Sequence, residues 1–510
     1  MILQEQFHRI GEMDRAANIS GSDRKEGGVT YTPPEIAIHM VRTLSPKWDW
    51  DILEPSCGRG TFAFALIEYW LENGKTWGEV AAWAEKHLHL CDIDAEAVAD
   101  MLSLWSQTFS AAGAPCRPAS AKVADGLFGH ADGKRYDAII GNPPYVRTQN
   151  LDGEYLKKIR RTFPSCAQGN VDLYFAFIED ALNRADHVCY ITPSSWMSNR
   201  SGENLRKKAI SRIESITDFG TSLVFSPVRA YTSIFSFGSG NRHVMVRKAS
   251  FGGELNFGEW EQVARNDARW DHREGWTPHH AKISSGGGTL STVAKVFSGI
   301  ATLADSAYIL PSPTTETDGD GNVWVIQDDP LFHGITARIP EHLAPPLIKA
   351  TRPDSEKRII CPYDDAWNVI PEEHLRKMAP DALAWLERRR NDLDKRDKGK
   401  TSGYPAWYAY GRRQGFWTPP EGEFLMVPQM GNGKLTVHKV KGGRRILFTS
   451  GYAVVPFDSK NTTAIADGIR SAEAWNFVRQ YGKGWAGKGE YITIGAPAIR
   501  NLPVGDLTPP

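Results

Sequence analysis

The chain has 510 residues, with 60 Lys plus Arg balanced by 60 Asp plus Glu, so its formal net charge is zero. At 41% hydrophobic and 24% charged it has a globular composition, and no apolar run nears the roughly 20 residues that a bilayer span needs. Neutrality excludes attraction of a polyanion by the global field, so a nucleic-acid partner needs a local basic patch. Six cysteines without CxxC spacing exclude a zinc site and a disulfide scaffold and fit a reducing cytoplasm.

Residues 1–26 are polar and read as a loosely packed arm without the apolar core of a secretory signal. From 27 to 245 short apolar runs alternate with helical stretches. The runs are DILEPS (51–56), HLHLCDID (87–94), YDAIIGNPP (136–144), HVCYITPSS (187–195), SITDFG (215–220) and YTSIFSFG (231–238). Segments such as 61–74 and 171–185 between them carry helical periodicity. That alternation predicts an α/β domain with a doubly wound sheet. Beyond residue 245 glycine, tryptophan and charge become frequent and the alternation stops, so 246–510 is expected to be a separate mixed α+β domain. Within it Asp318-Gly-Asp320-Gly-Asn322 begins like a calcium loop but lacks the later glycine and glutamate, and reads as an exposed turn. No histidine pair has metal-ligand spacing, and no metal is expected.

Four short motifs carry chemistry. Asn142-Pro143-Pro144-Tyr145 follows the strand DAIIG, at the sheet edge where such folds bind ligands. Two prolines hold a rigid turn and Asn142 adds a side-chain carbonyl, together forming acceptors for both hydrogens of an aromatic NH₂ group. Tyr145 offers a flat face for stacking. Glu54-Pro55-Ser56-Cys57-Gly58-Arg59-Gly60 joins a strand to a helix, and Gly58 and Gly60 permit close approach of a ligand. Asp92 ends the second strand, where a carboxylate accepts from the hydroxyls of a ribose, with Ile93 against the base; Asp94 reads as a helix cap. Asp125, in VADGLF, suits an adenine amine, with Leu127 or Phe128 as apolar wall.

The order TYTPPEIAIHMV (30–41), LEPSCGRG (53–60), CDID (91–94), ADGLF (124–128) and GNPPY (141–145) resembles the gamma class of N6-adenine DNA methyltransferases, typified by the TaqI enzyme. The resemblance implies a Rossmann-like class I methyltransferase domain followed by a C-terminal target-recognition domain. It implies S-adenosylmethionine as cofactor, double-stranded DNA as partner, and base flipping. By resemblance Tyr31 and Thr32 contact the methionine end, Glu54 and Ser56 line the pocket beside Gly58 and Gly60, and Asp92 holds the ribose. Asp125 sits by the cofactor adenine. Asn142, Pro143 and Tyr145 hold the target base, and Asn142 and Pro144 also face the cofactor. A second aromatic is expected to sandwich the flipped base: counting from Val224-Phe225 places Phe237 there, with Tyr231 as rival. Arg59, between the two glycines, departs from the family pattern.

In the second half, 385–417 is the strongest candidate for a DNA-facing surface. It interleaves Arg388, Arg389, Arg390, Lys395, Arg396, Lys398, Lys400, Arg412 and Arg413 with Tyr404, Trp407, Tyr408 and Tyr410. Such cations meet phosphates, while Arg412, Arg413 and Gln414 have the shape to reach base edges. A solvated mixed-charge helix explains 387–400 equally well. Lys434, Lys439, Lys441, Arg444 and Arg445 suggest a second cationic hairpin. Two other functions share the NPPY chemistry or the fold: methylation of RNA or a protein glutamine amide, and a non-catalytic DNA-binding subunit of a defence complex. A monomer is expected, and a separate restriction endonuclease is compatible with the resemblance.

Overall fold

The structure is a computed structural model and describes residues 2–20, 32–129, 134–169, 171–220, 222–225, 230–273, 275–279, 288–399, 401–412, 414–443, 445–481, 483–484 and 491–504. The chain divides into two compact units, Met1–Lys282 and Ile283–Pro510. No helix among the described residues is long and apolar enough to cross a membrane.

Unit 1 is built on one sheet. Its strands are β1 (Ile52–Glu54), β2 (Leu88–Asp92), β3 (Ser120–Val123), β4 (Tyr136–Gly141), β5 (Ala185–Pro193), β6 (Ile213–Asp218), β7 (Thr232–Phe237), β8 (His243–Phe251), β9 (Leu255–Phe257) and β10 (Glu261–Ala264). They are ordered β10-β8-β6-β7-β5-β4-β1-β2-β3, with β9 pairing β8. Strands β3-β2-β1-β4-β5 run parallel, and β7 lies antiparallel to both neighbours. The chain winds outward from β1 through β2 on one side and through β4 on the other, so a crevice opens at the carboxyl ends of β1 and β4. This doubly wound, mostly parallel sheet is the Rossmann-like arrangement that the motifs imply.

Its longer helices are α1 (Ile2–Ser20), α2 (Pro34–Leu44), α3 (Thr61–Glu72), α4 (Trp77–His87), α5 (Ala95–Ala111), α6 (Gly153–Thr162) and α7 (Tyr174–Arg184). Their starts follow local chemistry: Pro34 stands in the first turn of α2, a Thr76–Glu79 capping box opens α4, and Asp94 accepts from the Glu96 and Ala97 amides, as its position predicts. Period-two alternation puts Ile52, Ala138, Ile140, Cys189 and Ile191 into one core with α1, α2, α3 and α5. Leu53, Ile139, Val188 and Tyr190 face the other core with α7.

Two expectations change. Residues 2–20 form α1, whose Leu3, Phe7 and Ile10 are buried in the first core, so this part of the expected loose arm packs as a helix. The unit boundary lies at 282 rather than 245, because β8 adds parallel to β6 and β10 adds antiparallel to β8, extending the sheet. The glycine- and tryptophan-rich texture after residue 245 reflects this added edge and Trp270 and Trp276, which are buried in the second core.

Unit 2 is mixed α+β, as expected, and has several small sheets. Ala294–Ser298, Gly451–Pro456, Glu423–Pro428 and His438–Lys441 form an antiparallel four-stranded sheet. A second four-stranded sheet joins Ile309–Leu310, Arg352–Ile359, Pro346–Lys349 and Leu447–Thr449. Asp318 sits in the turn between Thr314–Thr317 and Val323–Asp328, where its carboxylate accepts from the Asp320 and Asn322 amides and the Trp324 indole. Those bonds make it a self-contained turn.

Candidate active site

Strand β1 ends at Glu54, which is buried, and the chain turns through Ser56–Gly60 into α3. Gly58 and Gly60 have φ of 49° and 87°, a region that L side chains rarely adopt. Two bonds stitch this turn to β2. The Cys57 amide donates to the Cys91 carbonyl at 2.9 Å, and the Gly58 amide donates to Asp92 Oδ2 at 2.7 Å. Asp92 Oδ1 accepts from the Asp94 amide at 2.9 Å. The Asp92 carboxylate is thus oriented by backbone donors at the mouth of the crevice.

A cavity of about 170 Å³ occupies this crevice. Thr32, Ser56, Gly58 and Glu54 line it, together with Asp92, Ile93, Asp125, Asn142 and Pro144, all singled out from the sequence. Glu54 is fully buried, and its Oε2 has no hydrogen-bond partner among the described residues. Burial, reinforced by the Asp92 charge, pushes the Glu54 carboxyl well above its ordinary range. A cationic ligand would relieve both effects. Ile93 is 77% exposed, an apolar side chain at the cavity mouth.

The remaining predicted residues are placed differently. Gly60 shapes the turn rather than the wall, and a Cβ there would meet Met101 Cγ at 2.6 Å. Leu127 is buried in the core, and its amide donates to Asp125 Oδ1 at 2.8 Å. Tyr31 and Arg413 lie outside the described residues. Sequence reasoning missed Tyr155, Leu173 and Phe177, which complete the wall near Asp125. Tyr155 donates a hydrogen bond to Asp125, and burial with that carboxylate raises its phenol above the ordinary value. Tyr155 and Phe177 belong to helices, where an aromatic residue reads as ordinary core. Gly126 was also missed: a Cβ there would fall 2.0 Å from the Pro55 carbonyl oxygen, so two segments of the wall touch backbone to backbone.

Asn142-Pro143-Pro144-Tyr145 leaves β4 directly beside the turn. Ser56 Oγ donates to the Asn142 backbone carbonyl at 3.2 Å. Tyr145 is half-buried; its hydroxyl donates to the Ile191 carbonyl at 3.4 Å, and its ring meets Tyr174 and Phe225 edge-on at 6.2 and 6.0 Å. Phe237 is not brought to this corner. It is 1% exposed, lies opposite Val188 and Ile213, and belongs to the core. Its rival Tyr231 is half-buried, and its carbonyl accepts from the Ser194 amide. The aromatics beside Tyr145 are Tyr174 and Phe225, the latter in the Val224-Phe225 pair from which the count began.

In unit 2 three cations of 385–417 are held internally. Arg388 and Arg389 bond Asp329, whose side chain is fully buried. Arg396 is buried and donates to Tyr308 Oη and to the carbonyls of Leu393, Ala409 and Trp407. Arg390 pairs with Asp394. Arg388, Arg389 and Arg396 thus serve the fold of unit 2 rather than a DNA-facing surface, whereas Arg390 stays exposed in its surface pair. Tyr404 and Arg412 both bond Asp397, Trp407 bonds Glu372, and Gln414 donates to the Gly299 carbonyl. Arg412 keeps half of its side chain exposed.

Known proteins resemble parts of this chain. The chain is 26% identical over 217 residues to the Type II methyltransferase M.HincII of Haemophilus influenzae, covering 41% of this chain and 37% of that protein. It is 24% identical over 371 residues to the Type II restriction enzyme and methyltransferase RM.Eco57I of Escherichia coli, covering 63% of this chain and 35% of that one. The chain thus spans little more than a third of the length of these curated relatives. In fold it is similar to the Type IIL restriction-modification enzyme MmeI, solved in complex with DNA. The TM-score is 0.57 at 13% identity, over 92% of this chain and 64% of that one. Within unit 1, residues 63–225 match the model of the family described as Eco57I restriction-modification methylase.

Proposed function

We propose that unit 1 transfers a methyl group from S-adenosylmethionine to the exocyclic amine of an adenine in double-stranded DNA, and that unit 2 recognises the target. One observation carries this reading. Asn142 and Pro144 of the acceptor corner line the same cavity as Glu54, Ser56 and Asp92. A donor held in that cavity and an amine held at the corner would be neighbours, which is what an in-line transfer needs.

The residues fit the donor. The unpartnered oxygen of buried Glu54 suits a cationic methionine end, the oriented carboxylate of Asp92 suits ribose hydroxyls, and Asp125 suits an adenine amine beside Ile93. S-adenosylmethionine, when bound, supplies an electrophilic methyl on a sulfonium. The chain supplies the rest. The Asn142 side-chain oxygen and a backbone carbonyl of the corner accept both hydrogens of the amine, which draws its lone pair out of conjugation with the ring. The ring of Tyr145 supports the base once it has left the stack. After transfer the surplus proton departs from the nitrogen to solvent, so no side chain has to remove it first. The name of M.HincII, a Type II methyltransferase, supports this reading.

Labelled methyl transfer to duplex DNA, RNA and protein acceptors, followed by sequencing of modified bases, tests it. N6-methyladenine at one defined site is expected, with Asn142→Ala abolishing transfer while still binding S-adenosylhomocysteine. Label on RNA or protein alone, or full activity in that variant, overturns it.

A further inference from the structure

Arg59 is the residue that departs from the family pattern, and the structure shows what holds it. It stands between Gly58 and Gly60, is 3% exposed, and lines the donor cavity. Its Nη1 donates to Asp14 Oδ1 at 3.0 Å, and its Nε donates to Asp100 Oδ2 at 2.9 Å. Glu96 lies 3.9 Å from Nη2. Asp100 and Glu96 belong to α5, the helix that starts three residues after Asp92. Asp14 belongs to α1, far away in sequence.

Asp14 also extends the buried stripe of its helix. Leu3, Phe7 and Ile10 face the core at helical spacing, and Asp14 takes the next place, itself buried. A carboxylate at a core-facing position is destabilising without a partner. Arg59 is that partner, so the guanidinium joins three elements: α1, the turn after β1, and α5. Its neighbour Gly58 supplies the amide that orients Asp92. A shift of Arg59 would move that amide, and with it the carboxylate at the cavity mouth. The chain following α1 also supplies Thr32 to the cavity wall.

We propose that Asp14, acting through Arg59, is a positioning residue for the cofactor turn, which makes α1 a working part of the donor site. The inference rests on reading the cavity as the S-adenosylmethionine site. Coupling of this kind is reciprocal: if docked α1 favours the cofactor, the cofactor favours docked α1.

The test uses the full chain and S-adenosylhomocysteine as probe. By calorimetry, Asp14→Asn and Arg59→Met should each weaken binding about tenfold, with Arg59→Lys recovering part of the loss. In turnover Asp14→Asn should raise KM for the cofactor while kcat stays within about twofold, because no reacting atom is touched. Hydrogen exchange on the unmutated protein gives a readout independent of variant folding: amides of residues 2–20 should slow on saturation with probe, whereas those of Glu372–Arg388 should not. Unchanged exchange in α1, or a folded Asp14→Asn variant that binds as well as the parent, overturns the inference while leaving the donor site intact. If the unmutated protein binds no probe, the donor-site reading itself fails, and the inference with it.

Discussion

Ser56 Oγ donates to the backbone carbonyl of Asn142 at 3.2 Å, across 86 residues of chain. The bond joins the turn after β1 to the corner after β4, so the two motifs share one frame. Ser56→Ala removes it and leaves the carbonyl one donor short, at a net cost of about 1 kcal/mol. The variant should stay folded and bind S-adenosylhomocysteine nearly as tightly, while single-turnover methyl transfer slows about fivefold to tenfold. A larger loss of cofactor binding than of rate would show that the bond serves the donor side alone.

The motif residues were legible because their spacing to strands is local. Glu54, Asp92 and Asn142 sit at or just beyond strand ends, and strand ends can be read from apolar runs. What was not legible depends on partners remote in sequence. Arg389 looks like a surface cation in RRRNDLDKR, yet its carboxylate lies 60 residues away at Asp329. Asp14 looks like part of a polar arm until Arg59, 45 residues on, is seen to meet it. Phe237 was placed by counting, and a count cannot tell that β7 is a central strand buried on both faces. The edge strands β8 and β10 were missed because the clear βα alternation had already stopped.

Gly126 and Pro55 touch backbone to backbone. A methyl group at 126 would stand 2.0 Å from the Pro55 carbonyl oxygen, closer than any packing allows. Gly126→Ala must therefore push the turn that carries Glu54 and Ser56. The variant should lose about 1–3 kcal/mol of stability and weaken S-adenosylhomocysteine binding. Gly74→Ala is the control, because no atom lies within 4 Å of its would-be Cβ and only its φ of 81° is strained. It should lower the melting temperature without changing affinity for the probe.

Two arginines of the same basic stretch should behave in opposite ways. The Arg389 and Asp329 side chains are 2% and 0% exposed, so Arg389→Met leaves a buried carboxylate short of its main partner and should destabilise unit 2 by about 3–5 kcal/mol. The Arg412 side chain is 50% exposed, and its pair with Asp397 is a solvent-screened surface pair that adds little to the fold. If unit 2 grips DNA through it, Arg412→Ala should leave melting nearly unchanged, weaken DNA binding, and lower the slope of log affinity against log salt by about one. Equal salt slopes for parent and variant would remove Arg412 from the DNA contact.

His39 makes acid stability testable at a single residue. Arg247 Nη2 lies 2.8 Å from His39 Nε2, so the ring must be neutral and accepting there. Burial, with the Arg247 and Arg42 charges beside it, holds the His39 pKa at about 4, below the ordinary 6.5. The unfolded chain therefore takes up a proton near pH 6.5 that the folded chain refuses until about pH 4. The stabilising contribution of the neutral ring is complete above pH 6.5 and is lost as the pH falls through that window, up to about 3 kcal/mol. His39→Gln keeps an acceptor for Arg247 and cannot titrate. Denaturant unfolding at pH 7.5 and 4.5 should show the parent losing more stability on acidification than the variant. A parent and variant that lose the same amount would mean that His39 binds its proton equally well in the folded protein, against the Arg247 geometry.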